Sequence, residues 1–209
     1  MYFVSKIMIS SCLKNLNSCS YLVQSNNGDS IPKKEALLVI DMINDFVTGK
    51  LGNENAQGIV PDLKNLLERA SESDKLKVYV QDSHREEDPE LEHWGSHAMS
   101  DEEGAETIPE LEGLANRKLT KRFYDAFYKT DLELTLRQHQ IEKVLLTGVT
   151  TDICVQHTAA GAFYRDYEIS IVEDCTAAMT DEKKDNALDY MREIYGAEII
   201  SSKDVVENW

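Results

Sequence analysis

A chain of 209 residues suits one domain with a full-sized core. Its net charge of −16 argues against nucleic acid or an anionic membrane surface as partner. Nothing in it approaches the roughly 18 consecutive apolar residues of a membrane span. The four cysteines, Cys12, Cys19, Cys154 and Cys175, are too scattered for a disulfide framework, so a reducing, cytoplasmic setting is the default.

In chain order, residues 1–34 stand apart in composition. Up to Gly28 the segment holds Lys6 and Lys14 and no acid, is rich in Ser and Asn, and ends in a turn-rich stretch at Gln24–Pro32. It reads as a poorly ordered extension, with a cleaved targeting peptide as the alternative. From residue 35 to 209 strand-like and helix-like segments alternate. Ala36–Ile40 is an uninterrupted apolar run, the mark of a strand buried on both faces. Pro61–Ala70 carries Leu63, Leu66, Leu67 and Ala70 on one helical stripe, with Pro61 at its start. A strand at Lys77–Val80 precedes a long polar loop to about Thr107, and a helix of fair periodicity spans Asp131–His139. A strand beginning at Val144 runs through Gly148 into a helix at Cys154. A strand at Ile169–Val172, a helix over Asp181–Tyr195 and a short strand at Glu198–Ile200 complete the series. Strands alternating with helices predict an α/β fold: a three-layer α/β/α sandwich with a mostly parallel, Rossmann-like central sheet.

In such folds, ligands sit outside the carboxyl ends of the strands. Asp41 follows the first strand, Asp82 and His84 the second, and Cys154 the strand from Val144. Cys154 is expected in the first turn of a helix capped by Thr151 or Asp152. The positive helix end there can lower a thiol pKa from about 8.5 to roughly 3.5–7.5. Asp82-x-His84, with His93 and His97 close behind, offers carboxylate and imidazole ligands suited to zinc, iron or manganese.

These segments resemble the isochorismatase-like cysteine hydrolases over about residues 35 to 200. The resemblance rests on Asp41, on Lys121 in Lys121–Phe127, and on Gly148-x-x-Thr151-Asp152-x-Cys154-Val155. Asp82-x-His84, Trp94-x-x-His97 and Gly104-Ala105-Glu106 are similar to the metal loop of nicotinamidases in particular. The resemblance implies a catalytic triad of Asp41, Lys121 and Cys154. It also implies an oxyanion hole from the N–H groups of Thr150 and Cys154, aimed by a cis bond at Val149–Thr150. A divalent metal, zinc foremost with iron or manganese as alternatives, is implied on Asp82, His84 and His97; a further ligand is open among Glu90, Glu92 and His93. Phe46, Trp94, Val149 and Thr150 would contact the substrate, a small amide, and family members self-associate into homo-oligomers.

The implied reaction is hydrolysis of nicotinamide to nicotinate and ammonia through a thioester. The loop departs from the family pattern. Met99–Glu102 replaces the usual Gly-Thr after the last His, and Gly95 and Ser96 stand where prolines are usual. A carbamoyl or ureido amide is therefore the alternative substrate, with isochorismate behind it. A receiver-like or catalytically silent scaffold is the non-enzymatic alternative; it leaves Cys154, His84, Trp94 and His97 unexplained.

Overall fold

The computed structural model describes residues 33–209, so all but Lys33 and Lys34 of the proposed extension, including Cys12 and Cys19, lies outside the described residues. Six strands form one sheet: β1 (Glu35–Ile40), β2 (Leu76–Asp82), β3 (Arg117–Lys121), β4 (Lys143–Val149), β5 (Glu168–Ala177) and β6 (Glu198–Ile200). Their spatial order is β3-β2-β1-β4-β5-β6, and every pairing is parallel.

Both faces of this sheet are covered, which is why its central strands are apolar throughout rather than alternating. Leu37, Val39, Tyr79, Leu145 and Val172 point to one side, where Leu63, Leu66 and Leu67 of α3 (Val60–Glu72) meet them. Ala36, Leu38, Ile40, Val80, Val144 and Leu146 point to the other. There they pack on α5 (Leu132–Gln138), α6 (Gln156–Phe163) and α7 (Asp181–Tyr195). The leucine stripe expected for Pro61–Ala70 is fully buried, each leucine contributing roughly 1.5–3 kcal/mol relative to exposure. The helix expected over Asp131–His139 is α5, with Leu132 and Leu136 inward and Leu134 in solvent.

Short helices α1 (Asn44–Val47), α2 (Glu54–Gly58), α4 (Leu91–Trp94) and α8 (Ser202–Glu207) complete the fold. The sequence reading contained none of these four, and it also lacked β3. Arg117, Lys118 and Lys121 lie on this edge strand, which forms because β2 supplies a ladder in which Lys121 lies opposite Asp82. Among the described residues no helix is long and apolar enough to cross a membrane.

The sheet order reverses between β1 and β4, and a crevice forms where the chain leaves these two strands in opposite directions. Gly148 makes that junction close. Its φ is +98°, and a Cβ there would lie 2.0 Å from the Ile40 carbonyl oxygen on β1. Only glycine lets β4 turn this tightly against the strand that delivers Asp41.

Candidate active site

Each strand on this side of the sheet delivers one polar residue to the crevice. Asp41 leaves β1 with φ +55°, its N–H bonded to Val80 O at 3.1 Å and its Oδ1 accepting from Asp82 N at 2.8 Å. Asp82 ends β2 and Lys121 ends β3. The Lys121 ammonium lies 2.7 Å from Asp41 Oδ2, 2.6 Å from Asp82 Oδ1 and 3.6 Å from Cys154 Sγ. All four side chains are buried. Asp41, Lys121 and Cys154, placed together on resemblance alone, are therefore in mutual contact.

Cys154 follows β4 on a single wide turn, Thr151–Val155, of π-helical geometry, before α6 begins. The cap position belongs to Thr150, and no side chain caps the turn. This corrects the expectation for Thr151 and Asp152: the Thr151 hydroxyl bonds Thr176 Oγ1 instead, at 2.9 Å. The Val149–Thr150 bond is cis, as the resemblance implied. Val149, expected against the substrate, points into the α3 side of the core and does not border the cavity; alternation along β4 dictates this.

Burial dominates the electrostatics. It pushes the Cys154 thiol well above its usual pKa; Lys121 opposes this, while Asp41 and Asp82 add to it. A thiol lowered by a helix end, as the sequence suggested, is not what the fold builds. Burial and the Asp82 charge raise Asp41 to about 6 against the pull of Lys121. The pair is thus arranged as a protonated thiol beside a carboxylate able to take its proton near neutral pH.

A second constellation adjoins the first. Asp82, His84, Glu90 and His97 place one ligand atom each within 4.8 Å of the others. His84 Nε2 is 3.6 Å from Asp82 Oδ2 and 4.0 Å from Glu90 Oε2, and His97 Nε2 is 3.8 Å from Glu90 Oε1. The choice left open among Glu90, Glu92 and His93 falls to Glu90, since the other two are exposed. Asp82 Oδ2, His84 Nε2 and His97 Nε2 are buried without a hydrogen-bond partner. Buried polar atoms are rarely left so, and three converging ones suit a cation. The far ring nitrogens are engaged: His84 Nδ1 on Asp88 at 3.1 Å and His97 Nδ1 on the Gly95 carbonyl at 2.8 Å. That arrangement leaves each Nε2 lone pair facing the cluster. Burial, with the Asp82 charge nearby, raises Glu90 to about 7. Burial also lowers His97, favouring the neutral, ligating imidazole. The residues fit a divalent metal.

Backbone bonds close the loop that carries these ligands. His84 N donates to Ala98 O and Ser100 N to His84 O, both at 2.8 Å. Asp45 is buried beneath and accepts from Ala98 N at 2.8 Å, a structural task. Gly104 lies so close to Asp45 that a Cβ would sit 2.2 Å from its Oδ2.

One cavity is bordered by members of both constellations, Cys154 of the first and Asp82, Glu90 and His97 of the second, together with Thr150. Phe46 and Trp94 border it as expected, Phe46 with its ring 5.5 Å from that of His97. Tyr124 does too, accepting from Trp94 Nε1 at 3.3 Å. Tyr124, Lys183 and Met179 were not foreseen. Tyr124 lies three residues beyond Lys121, a proximity that could have marked it; nothing in the sequence marks the other two.

Residues 35–204 match the Isochorismatase domain family. The chain belongs to the isochorismatase family. Among solved members, the N-carbamoylsarcosine amidase of Thermoplasma acidophilum is 42% identical with a TM-score of 0.77, covering 81% of this chain and 96% of its own. The nicotinamidase PncA of Bacillus subtilis is 32% identical with a TM-score of 0.75, covering 80% and 99%. A pyrazinamidase of Pyrococcus horikoshii, solved in complex with zinc, is 28% identical with a TM-score of 0.75, covering 80% and 99%. A curated relative from Arabidopsis thaliana, named "probable inactive nicotinamidase", is 30% identical over 72% of this chain and 84% of its own. This isochorismatase-family hydrolase thus has amidases among its relatives.

Proposed function

We propose that this protein is a metal-dependent cysteine amidohydrolase that converts nicotinamide and water to nicotinate and ammonia. The observation that carries the reading is that Cys154 lines one aromatic-walled cavity with Asp82, Glu90 and His97, three members of a buried donor set completed by His84. A cation on Asp82, His84, Glu90 and His97, zinc foremost given the two imidazoles, supplies a Lewis acid for a ring nitrogen or a water.

The chain's own residues do the rest. Phe46, Trp94 and Tyr124 enclose a flat ring. Asp41 takes the Cys154 proton as sulfur bonds to the amide carbon, and Lys121 holds the charge that develops between them. The backbone N–H groups of Thr150 and Cys154 receive the carbonyl oxygen as it gains an electron pair. When that pair returns, the C–N bond breaks and Asp41 gives its proton to the departing nitrogen, releasing ammonia. Asp41 then takes a proton from water, whose oxygen attacks the thioester; expulsion of sulfur, reprotonated by Asp41, yields the acid.

A second reading, hydrolysis of a carbamoyl or ureido amide, draws on one further feature. Lys183 borders the cavity with its ammonium 3.8 Å from Asp152, placing a cation where a substrate carboxylate could lie. A cytoplasmic setting and self-association belong to the same proposal, resting on the reducing cysteine usage and the family resemblance.

Ammonia release from nicotinamide, run beside N-carbamoylsarcosine, Cys154→Ala and a chelated sample, tests the reading. Wild-type activity on nicotinamide with both controls dead supports it. Activity on the carbamoyl compound alone selects the second reading, and an inert wild type overturns both.

A further inference from the structure

Lys121 and Arg122 are adjacent, yet they reach in opposite directions. Lys121 turns inward to Asp41 and Asp82. Arg122 turns along the metal-ligand loop, where its guanidinium grips Asp88: Nε lies 2.9 and 3.1 Å from the two carboxylate oxygens, and Nη2 bonds Oδ1 as well. Asp88 also accepts from Arg85 N at 2.9 Å and holds His84 Nδ1 at 3.1 Å. The Asp88 side chain is buried. No step of the reaction above uses either residue.

We propose that Asp88, clamped by Arg122, is the positioning residue that selects the metal-binding form of His84. An imidazole that donates Nδ1–H to a carboxylate keeps its proton there, so the Nε2 lone pair stays directed at Asp82 and Glu90. Asp88 alone could swing away with its exposed loop. The guanidinium fork fixes both of its oxygens, as a planar pair of donors does and a lysine point charge does not. The end of β3 thereby serves both constellations: one residue supplies the ammonium beside the thiol, and the next sets the ligand geometry of the metal.

This inference rests on the metal reading above, and the test separates the two. Metal-free full-length protein is titrated with Zn²⁺ against a chromophoric chelator, and the Co²⁺-loaded form is followed by its visible absorption. Asp88→Asn is expected to bind Zn²⁺ about 10–100-fold more weakly and to shift the Co²⁺ bands, since outer-shell partners of ligating histidines carry effects of that size. Arg122→Ala is expected to weaken binding less, and Arg122→Lys to restore only part of the loss. The Asp88→Asn/Arg122→Ala double variant should be no weaker than Asp88→Asn, because the two act in series. Melting of the metal-free variants, measured in parallel, shows whether each is folded. Folded Asp88→Asn and Arg122→Ala that bind Zn²⁺ within twofold of wild type would overturn this inference alone. A wild type that binds neither ion would overturn the metal reading and this inference with it.

Discussion

Replacing Lys121 with Met keeps much of the side chain's bulk but removes the ammonium shared by Asp41 and Asp82, 2.7 and 2.6 Å away. Breaking a buried ion pair from one side costs roughly 3–5 kcal/mol. The alternative open to the folded variant is to protonate one carboxyl. At pH 7.5 that costs about 5 kcal/mol, some 1.4 kcal/mol for each of roughly 3.6 pH units above the aspartate reference near 3.9. The two routes bracket the same loss, and the second predicts its pH dependence. The folded variant binds a proton that the unfolded chain does not, so its stability rises as the pH falls. Asp41 of the wild type, raised to about 6, gains some of the same benefit. Between pH 7.5 and 5.5 the gap between the two proteins should therefore narrow by about 2 kcal/mol rather than the full 2.7 kcal/mol. Urea unfolding of both proteins at the two pH values, with chelator present, measures it. Activity on the preferred amide should drop by about 10²–10⁴ in kcat/KM, the range for a lost proton-transfer arrangement. A gap below about 1 kcal/mol at pH 7.5, or one that does not change with pH, would refute the account of Lys121 as the counter-charge of both acids.

Other outcomes follow from single contacts. Gly148→Ala forces a Cβ to within 2.0 Å of Ile40 O at φ +98°, so the β1–β4 junction must open. The expected cost is about 2–4 kcal/mol, read as a melting temperature lower by roughly 5–15 °C with a parallel fall in kcat; an unchanged melt would show that the junction is slack. Chelation should abolish ammonia release and Zn²⁺ restore it, with Zn²⁺ at a hundredfold excess over its Kd raising stability by about 2.7 kcal/mol in a thermal melt. Ser201→Ala removes the capping box of α8, where Ser201 Oγ accepts from Asp204 N at 3.2 Å. It should lower the melting temperature by roughly 2–4 °C and leave kcat/KM unchanged, the control for a purely structural loss.

Periodicity and punctuation were enough to place much of the sheet and the longer helices. The apolar runs at Ala36–Ile40 and Val144–Leu146 declare strands buried on both faces, and the leucine stripe of Pro61–Ala70 declares a helix, because burial imposes those spacings locally. The strand ends then pointed to Asp41, Asp82, His84 and Cys154 without any coordinates. What one dimension could not carry was partnership. β3 is a strand only because β2 lies beside it, which sets Lys121 opposite Asp82. Glu90 outranks Glu92 and His93 only because the loop, just ahead of α4, brings it within reach of Asp82, His84 and His97.

The thiol marks the same division. Sequence placed Cys154 at the start of a helix, and by itself that position argues for a lowered pKa. The tertiary structure reverses the sign, because burial beside two carboxylates penalises a lone thiolate more than one ammonium favours it. Residue types and spacing determined which groups this protein could bring to a site. Long-range packing decided their distances, their solvation and so their charge, since desolvation depends on neighbours that are far apart along the chain.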